Sequence, residues 1–314
     1  MKLNFSQALI TGGAGFIGSH IADALLSENC TVRILDNLSS GSLTNMEHMR
    51  DRITFFEDDI RDMDSLTRAA EGCDVIFHEA AVVSVPQTVE DPLTSARVND
   101  MGTLQVLEAA RRAGVKRVVL ASSSAVYGDD PEMPKREAMA PGPLSPYAVQ
   151  KLTGEYYARL YNDLYGLETV CLRYFNVYGP RQDPSSAYSG VISIFMSRAF
   201  AGVSPLIYGD GQQSRDFVFV RDVVRANLLA ACVPGAAGKC FNVGIGSCVT
   251  INRLWEIIAC MSGLELSPEY APPRAGDIRE SLSDIGQAKE ILGFAPEFTF
   301  EKGLEITLKW YNEK

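Results

Sequence analysis

The sequence predicts an α/β chain: a doubly wound parallel sheet followed by a smaller second α/β region. Three observations carry this expectation. Short β-rich runs alternate with amphipathic helical stretches, a glycine-rich turn joins the first run to the first helical stretch, and beyond residue 175 the texture changes to loops rich in Gly, Pro and Ser. The β-rich runs fall at 8–11, 31–35, 53–57, 75–77, 117–121 and 169–172. Their alternation with helices is the pattern of parallel strands covered on both faces. The stretches 17–27 and 103–112 carry apolar residues at helical spacing, and Gly114 stops the second. Six strands suit a nucleotide-binding sheet over 1–175. The remainder, 176–314, reads as the second region, with part of 216–245 crossing back to the first because an apolar run at 216–220 leads into a helical pattern at 223–231.

A chain of 314 residues, 46% of them hydrophobic, buries a large core. A net charge of −10 and a pI near 4.9 argue against a nucleic-acid binder, which needs clustered Lys and Arg to displace counterions from phosphates. Seven cysteines, at 30, 73, 171, 232, 240, 248 and 260, form no C-x-x-C pair, and reduced structural thiols are expected. Met1 leads into Ala8-Leu9-Ile10 without the basic start and long apolar stretch of a signal peptide. No run reaches membrane-spanning length, so a cytoplasmic location with no membrane partner is expected. His20, His48 and His78 have no paired ligand spacing, and no metal site is expected.

Thr11-Gly12-Gly13-Ala14-Gly15-Phe16-Ile17-Gly18 follows the first β-rich run and opens the first helix. This is the context that a dinucleotide fingerprint requires. Glycines there permit a tight turn and close backbone approach, so that a pyrophosphate can rest on the amides and dipole of the helix. Asp36 ends the second run, 18 residues after Gly18. A carboxylate at that place accepts hydrogen bonds from ribose hydroxyls and repels a 2′-phosphate, which favours NAD over NADP.

Tyr147 and Lys151 are spaced i and i+4, so on a helix they share a face. Ser122-Ser123-Ser124 ends the fifth run, at the functional edge of a parallel sheet. A tyrosine with a pKa of about 10 is a poor base at neutral pH, and each unit of depression takes about 1.4 kcal/mol of selective phenolate stabilisation. Lys151 and a positive nicotinamide ring can supply it, while a serine hydroxyl orients the reacting oxygen. The Y-x-x-x-K spacing is common by chance, and Tyr156, Tyr157 and Tyr161 on the same segment are readily read as packing.

With these segments in place the chain resembles the extended short-chain dehydrogenases/reductases, and among them the nucleotide-sugar 4-epimerases. The resemblance runs through Asp59-Ile60-Arg61-Asp62, His78-Glu79-Ala80-Ala81, Val98-Asn99, SSSAVYG at 122–128, SPYAVQK at 145–151 and LRYFNVYGPRQDP at 172–184. It implies a Rossmann sheet with a smaller α/β substrate-binding domain. It makes Tyr147 the base, Lys151 its electrostatic partner and a ribose ligand, and Ser123 the catalytic hydroxyl, four residues before Tyr127. The implied NAD site draws Gly12, Gly15, Phe16 and Ile17 from the loop and Asp36, Asn37, Ser40 and Gly41 from the segment after the second run. Asp59 and Ile60 flank the adenine; Ala80, Ala81 and Asn99 line the cleft, with Tyr174 and Phe175 also in the cofactor set.

Arg215 and Arg274 supply cations where a diphosphate needs them. Taken singly each reads as a solvated ion pair, and the resemblance turns them into diphosphate ligands. It also makes Asn176 a diphosphate ligand, places Val191 and Tyr208 in a uridine pocket, gives Asp277 a ribose contact, and adds Ser84 and Gln213 to the substrate set. Relatives that dehydrate sugars carry Asp-Glu after the catalytic hydroxyl residue, and related decarboxylases keep the Glu; here Ser124 and Ala125 stand there. Without a second acid, the 4-keto sugar turns over and takes hydride back on its other face, leaving NAD bound through turnover. Ser281, seven residues after Arg274, stands where relatives restricted to non-acetylated sugars carry a tyrosine. The small side chain favours UDP-N-acetylglucosamine and UDP-N-acetylgalactosamine, with UDP-glucose and UDP-galactose as further substrates.

Three rival readings are a UDP-glucuronate 4-epimerase, for which no partner of the sugar carboxylate is identified, a catalytically idle NAD-binding protein, and a reductase that releases NADH. The resemblance further implies a homodimer joined through helices near 99–113 and 147–162.

Overall fold

The computed structural model describes residues 2–183, 190–273 and 278–313. Its centre is a seven-stranded sheet built on β1 (Gln7–Thr11), β2 (Thr31–Leu35), β3 (Ile53–Phe56), β4 (Val75–His78), β5 (Arg117–Ser123), β6 (Glu168–Tyr174) and a seventh strand, Lys239–Val243. Every pairing is parallel. From one edge the order is Lys239–Val243, β6, β5, β4, β1, β2, β3. The order reverses direction between β1 and β4, and parallel sheets open a ligand crevice at such a point, beyond the carboxyl ends of the strands. The inner strands are apolar on both faces because helices cover both: Leu9 and Ile76 belong to one buried cluster, Ala8, Ile10 and Phe77 to another.

The sequence reading expects six strands and the sheet has seven. Lys239–Val243 adds beside β6 in the register Cys240↔Cys171 and Asn242↔Arg173. Its Lys, Cys and Asn break the apolar run by which the inner strands are recognised. The expected run at 216–220 becomes Phe217–Phe219, which pairs with Asn176–Tyr178 in a separate two-stranded sheet, and the helix after it spans Val220–Cys232. That helix packs on the first helix, Phe16–Ser27, and so returns the chain to the main sheet. The Thr103–Ala113 helix ends on Gly114 at φ 70°, a left-handed cap that glycine adopts without steric cost.

Among the described residues, the rest of the second region is assembled from short strands, a π-helical turn at Ala288–Leu292 and three α-helices, Val191–Phe200, Ile251–Ser262 and Phe300–Asn312. A buried aromatic cluster of Tyr178, Phe195, Phe217, Phe219, Trp255 and Phe300 holds them together. Ser214–Arg215 is the middle strand of a three-stranded sheet between Val249–Thr250 and Glu280–Ser281, and Leu206–Tyr208 pairs with Glu269–Ala271.

Candidate active site

The loop between β1 and the first helix is shaped by contacts that exclude side chains. Gly12 has φ +74°, and a Cβ on it would lie 2.6 Å from the Ala80 amide nitrogen. A Cβ on Gly18 would lie 2.3 Å from the Gly12 carbonyl oxygen. Gly15 caps the helix without a side-chain hydrogen bond, and the first turn, which begins with Phe16 and Ile17, holds no acid. Its leading amides are therefore left for an anion. Asp36 closes the cradle: Oδ2 accepts from the Ala14 amide at 2.9 Å and Oδ1 from the Leu38 amide at 2.8 Å. Burial raises its carboxyl pKa, and these two amides oppose the rise. Gly41 abuts the same cradle, since a Cβ there would meet Ala14 and Asp36 at about 3 Å. Ser40 is exposed beside it. The Asn37 amide donates to Asp59 at 2.7 Å, and the Arg61 side chain holds the Asp59 carboxyl down at about 2. Ile60 is buried against Gly102. A tight glycine turn, free helix amides and a ribose-level carboxylate fit a dinucleotide.

The second cluster gathers at the carboxyl ends of β4, β5 and β6. Ser145 caps the Pro146–Tyr165 helix by accepting from the Ala148 amide, and this sets Tyr147 and Lys151 one turn apart on the face toward the sheet. Lys151 Nζ donates to the Ala121 carbonyl at 2.8 Å and lies 5.8 Å from the centre of the Tyr147 ring. Ser123 lies within hydrogen-bonding reach of Tyr147 and accepts from the Ala125 amide at 3.1 Å. Strand alternation turns Ser122 the other way, where it donates to Glu155. Burial raises the Tyr147 phenol and lowers the Lys151 ammonium to about 8. Ala81 and Asn99 line a small cavity with Lys151. Asn99 is fixed there by bonds to the Val82 backbone and to Gln150. Tyr174 ends β6 with its hydroxyl on Glu79, and Phe175 packs with Val126 and Tyr127.

A third group lies in the second region. Arg215 and Ser281 are register partners on adjacent parallel strands, so the expected diphosphate ligand and the expected sugar-side serine are neighbours. Asn176 donates from its amide nitrogen to the Asp216 carbonyl at 3.0 Å. Tyr208 and Gln213 line a cavity of about 410 Å³ with Asp210, Pro273 and Arg279. Val191, which opens the Val191–Phe200 helix, is not among its described lining residues, and Ser84 serves as a helix cap that accepts from the Gln87 amide. Arg274 and Asp277 lie outside the described residues.

Several participants escape sequence reasoning. The Asp216 carboxylate, fully buried, accepts from the Ile245, Gly246 and Ser283 amides and from the Ser283 hydroxyl. It thereby locks the segment after the seventh strand to the strand that carries Ser281. Arg173 is bidentate to Glu155 and reaches the Tyr127 hydroxyl, which donates to Asn242. Glu79, between the motif residues His78 and Ala80, carries a half-buried carboxyl raised by desolvation to about 7. The local signal for it is an acid at the end of the apolar strand Val75–His78.

The profile of the NAD dependent epimerase/dehydratase family matches residues 8–244. A protein named UDP-glucose 4-epimerase from Mycolicibacterium smegmatis is 43% identical over 312 residues, covering 98% of this chain and 99% of its own. Among solved structures, a UDP-N-acetylglucosamine 4-epimerase from Methanobrevibacter ruminantium in complex with UDP-N-acetylmuramic acid superposes with a TM-score of 0.94 at 42% identity, covering 100% of this chain and 99% of that one. A Thermus thermophilus UDP-glucose 4-epimerase in complex with NAD superposes with a TM-score of 0.88 at 38% identity over 98% and 99% of the two chains.

His78 beneath this cluster gives it a pH limit. Its ring nitrogens bond the Thr11 and Thr103 hydroxyls at 2.7 and 2.9 Å, and burial pulls its pKa from 6.5 to about 3. Between those values the unfolded chain binds a proton that the folded one refuses, so stability is full above 6.5 and falls as pH drops toward 3. The variant His78→Gln should lose about 2 kcal/mol less unfolding free energy than the parent between pH 7 and pH 5. Urea midpoints at the two pH values measure this, and equal losses in both proteins would refute it.

Proposed function

This chain belongs to the NAD dependent epimerase/dehydratase family, and we propose that it is a UDP-sugar 4-epimerase. Its substrates in this reading are UDP-N-acetylglucosamine and UDP-N-acetylgalactosamine, with UDP-glucose and UDP-galactose accepted as well. The observation that carries the proposal is the convergence of Ser123, Tyr147 and Lys151 beside a dinucleotide cradle, with Ser124 and Ala125 where an eliminating enzyme needs acids.

When bound, NAD supplies a reversible acceptor for the hydride at the sugar C4. Tyr147, as phenolate, takes the proton from the sugar 4-hydroxyl, and the Ser123 hydroxyl holds the sugar oxygen in line. The Ser123 hydrogen bond opposes the burial that raises the Tyr147 phenol, and the Lys151 ammonium, fixed beside the ring by its bond to the Ala121 carbonyl, adds a positive charge that favours the phenolate. With Ser124 and Ala125 in place of the acids that drive elimination, the keto sugar turns and regains its hydrogen on the opposite face, and Tyr147 returns the proton. The diphosphate is assigned to Arg215, Asn176 and Arg274, the uridine side to Val191, Tyr208, Gln213 and Asp277, and a substrate contact to Ser84. NAD is assigned to the cradle residues with Ala80, Ala81, Asn99, Tyr174 and Phe175. The preference for acetylated sugars rests on Ser281, a small residue in register with Arg215, and accords with the name of the Methanobrevibacter ruminantium neighbour.

The purified protein, without added cofactor, is incubated with UDP-N-acetylglucosamine and separately with UDP-glucose, and the nucleotide sugars are followed by proton NMR. Both galacto epimers are expected. The variant Ser281→Tyr should lose the acetylated substrate by about tenfold or more relative to UDP-glucose. No conversion of either sugar, even with NAD supplied, rules the proposal out and makes UDP-glucuronate the next substrate to try.

We also propose a cytoplasmic homodimer. All seven cysteines are free thiols. Val149, Tyr156, Leu160 and Leu164 form an exposed apolar stripe along the Pro146–Tyr165 helix, and Met101 is exposed on the turn preceding the Thr103–Ala113 helix. Sedimentation equilibrium should give about twice the 34.3 kDa chain mass, and a single-chain mass contradicts the dimer.

A further inference from the structure

Glu79 carries a half-buried carboxyl that the proposed reaction does not use. Its backbone touches the glycine loop: a Cβ on Gly12 would lie 2.9 Å from the Glu79 carbonyl carbon. Its side chain points to the other end of the cleft, where Oε1 accepts from the Tyr174 hydroxyl at 2.8 Å. Among the described residues Glu79 forms no ion pair, and the charged or ionisable side chains that act on it or feel it are Lys151, Tyr174 and Tyr147. Lys151 already spends a hydrogen bond on the Ala121 carbonyl.

The hydrogen-bond chain behind Glu79 has a fixed direction. Asn227 Nδ2 donates to the Val223 carbonyl at 2.9 Å and to the Tyr174 oxygen at 2.8 Å. The Val223 carbonyl can only accept, so the amide nitrogen must face it, and the second N–H then meets Tyr174. The single proton of Tyr174 is left for Glu79. Asn227 Oδ1 is buried without a partner as a result, a desolvation cost borne to hold this orientation. Donors aimed at a carboxyl favour its ionised form. The fold thus aims a donor at a carboxyl that forms no ion pair among the described residues, and desolvation opposes its ionisation until a further positive group arrives.

We propose that Glu79, aimed by Asn227 and Tyr174, is a counter-charge for the oxidised nicotinamide ring, so that the chain holds NAD in preference to NADH. The proposal rests on the NAD-binding reading of the cleft. The oxidised ring carries a positive charge that the reduced ring lacks, and a nearby carboxylate stabilises only the former. Desolvation raises the Glu79 carboxyl to about 7, so the incoming ring charge also restores its ionisation. An enzyme that must end each turnover with its cofactor oxidised gains from this bias.

The test is to equilibrate the purified protein to constant composition with a large excess of an equimolar NAD and NADH mixture. Free dinucleotide is then removed by rapid desalting, and the bound pair is released and quantified by chromatography. The parent should hold NAD over NADH, and Glu79→Gln should lower the bound ratio about tenfold. Glu79→Asp, which keeps the charge, should stay closer to the parent, and Tyr174→Phe should shift the ratio in the same direction as Glu79→Gln by a smaller factor. If Glu79→Gln does not fold, Tyr174→Phe decides. A bound ratio unmoved by either substitution overturns the proposal while leaving the NAD site intact. A parent that retains neither dinucleotide overturns the NAD site and the proposal together.

Discussion

The bond from Lys151 Nζ to the Ala121 carbonyl joins the long Pro146–Tyr165 helix to the end of β5, and the site depends on it. A buried ammonium is expensive to desolvate, and burial has already lowered this one to about 8. The cost is tolerated where the charge meets a carbonyl on one side and a phenol on the other. Removing the carbonyl would free the side chain to swing away from Tyr147, and the Ser123 hydrogen bond alone would then oppose the burial that raises the phenol. Ser123 stands two residues beyond Ala121 on the same strand, so one strand end positions both the lysine and the serine that the proposed reaction sets beside Tyr147.

A comparable economy ties the second region to the sheet. Asp216 takes four hydrogen bonds on a fully buried carboxylate, and its backbone carbonyl takes a fifth from the Asn176 amide. Three chain segments far apart in sequence therefore meet one residue after Arg215. The strand carrying Ser281 is held in register with Arg215 from both sides, by the ladder at one end and the Asp216–Ser283 bonds at the other. The proposed sugar pocket, built on short strands, gains rigidity from such a clamp, which two-residue ladders alone cannot supply.

How much of this the sequence discloses follows from the range of each interaction. β1 to β6 are legible because strands buried on both faces read as apolar runs, while Lys239–Val243 at the sheet edge mixes Lys and Asn into its five residues and is passed over. The glycine loop is legible because its contacts with Ala80 and within its own turn admit no Cβ. The i, i+4 pair of Tyr147 and Lys151 is local and visible. The choice of Ser123 among three serines comes from family resemblance, and strand alternation, which sends Ser122 to Glu155, supplies a physical reason for it. Glu79 with Tyr174, Asp216 with Ser283 and Arg173 with Glu155 are contacts across long stretches of chain, and no local pattern announces which acid meets which donor.

The proposed reaction turns on one hydrogen leaving the sugar C4 and returning to the same carbon without passing through solvent. UDP-N-acetylglucosamine carrying deuterium at C4 of the sugar, incubated in ordinary water with the protein as purified and no added cofactor, tests this directly by mass spectrometry and NMR of the product. The expected result is the galacto epimer with deuterium retained at C4. An epimer that carries protium at C4 would contradict a cofactor-held hydride and, with it, the roles of Tyr147, Lys151 and Ser123 in the reaction.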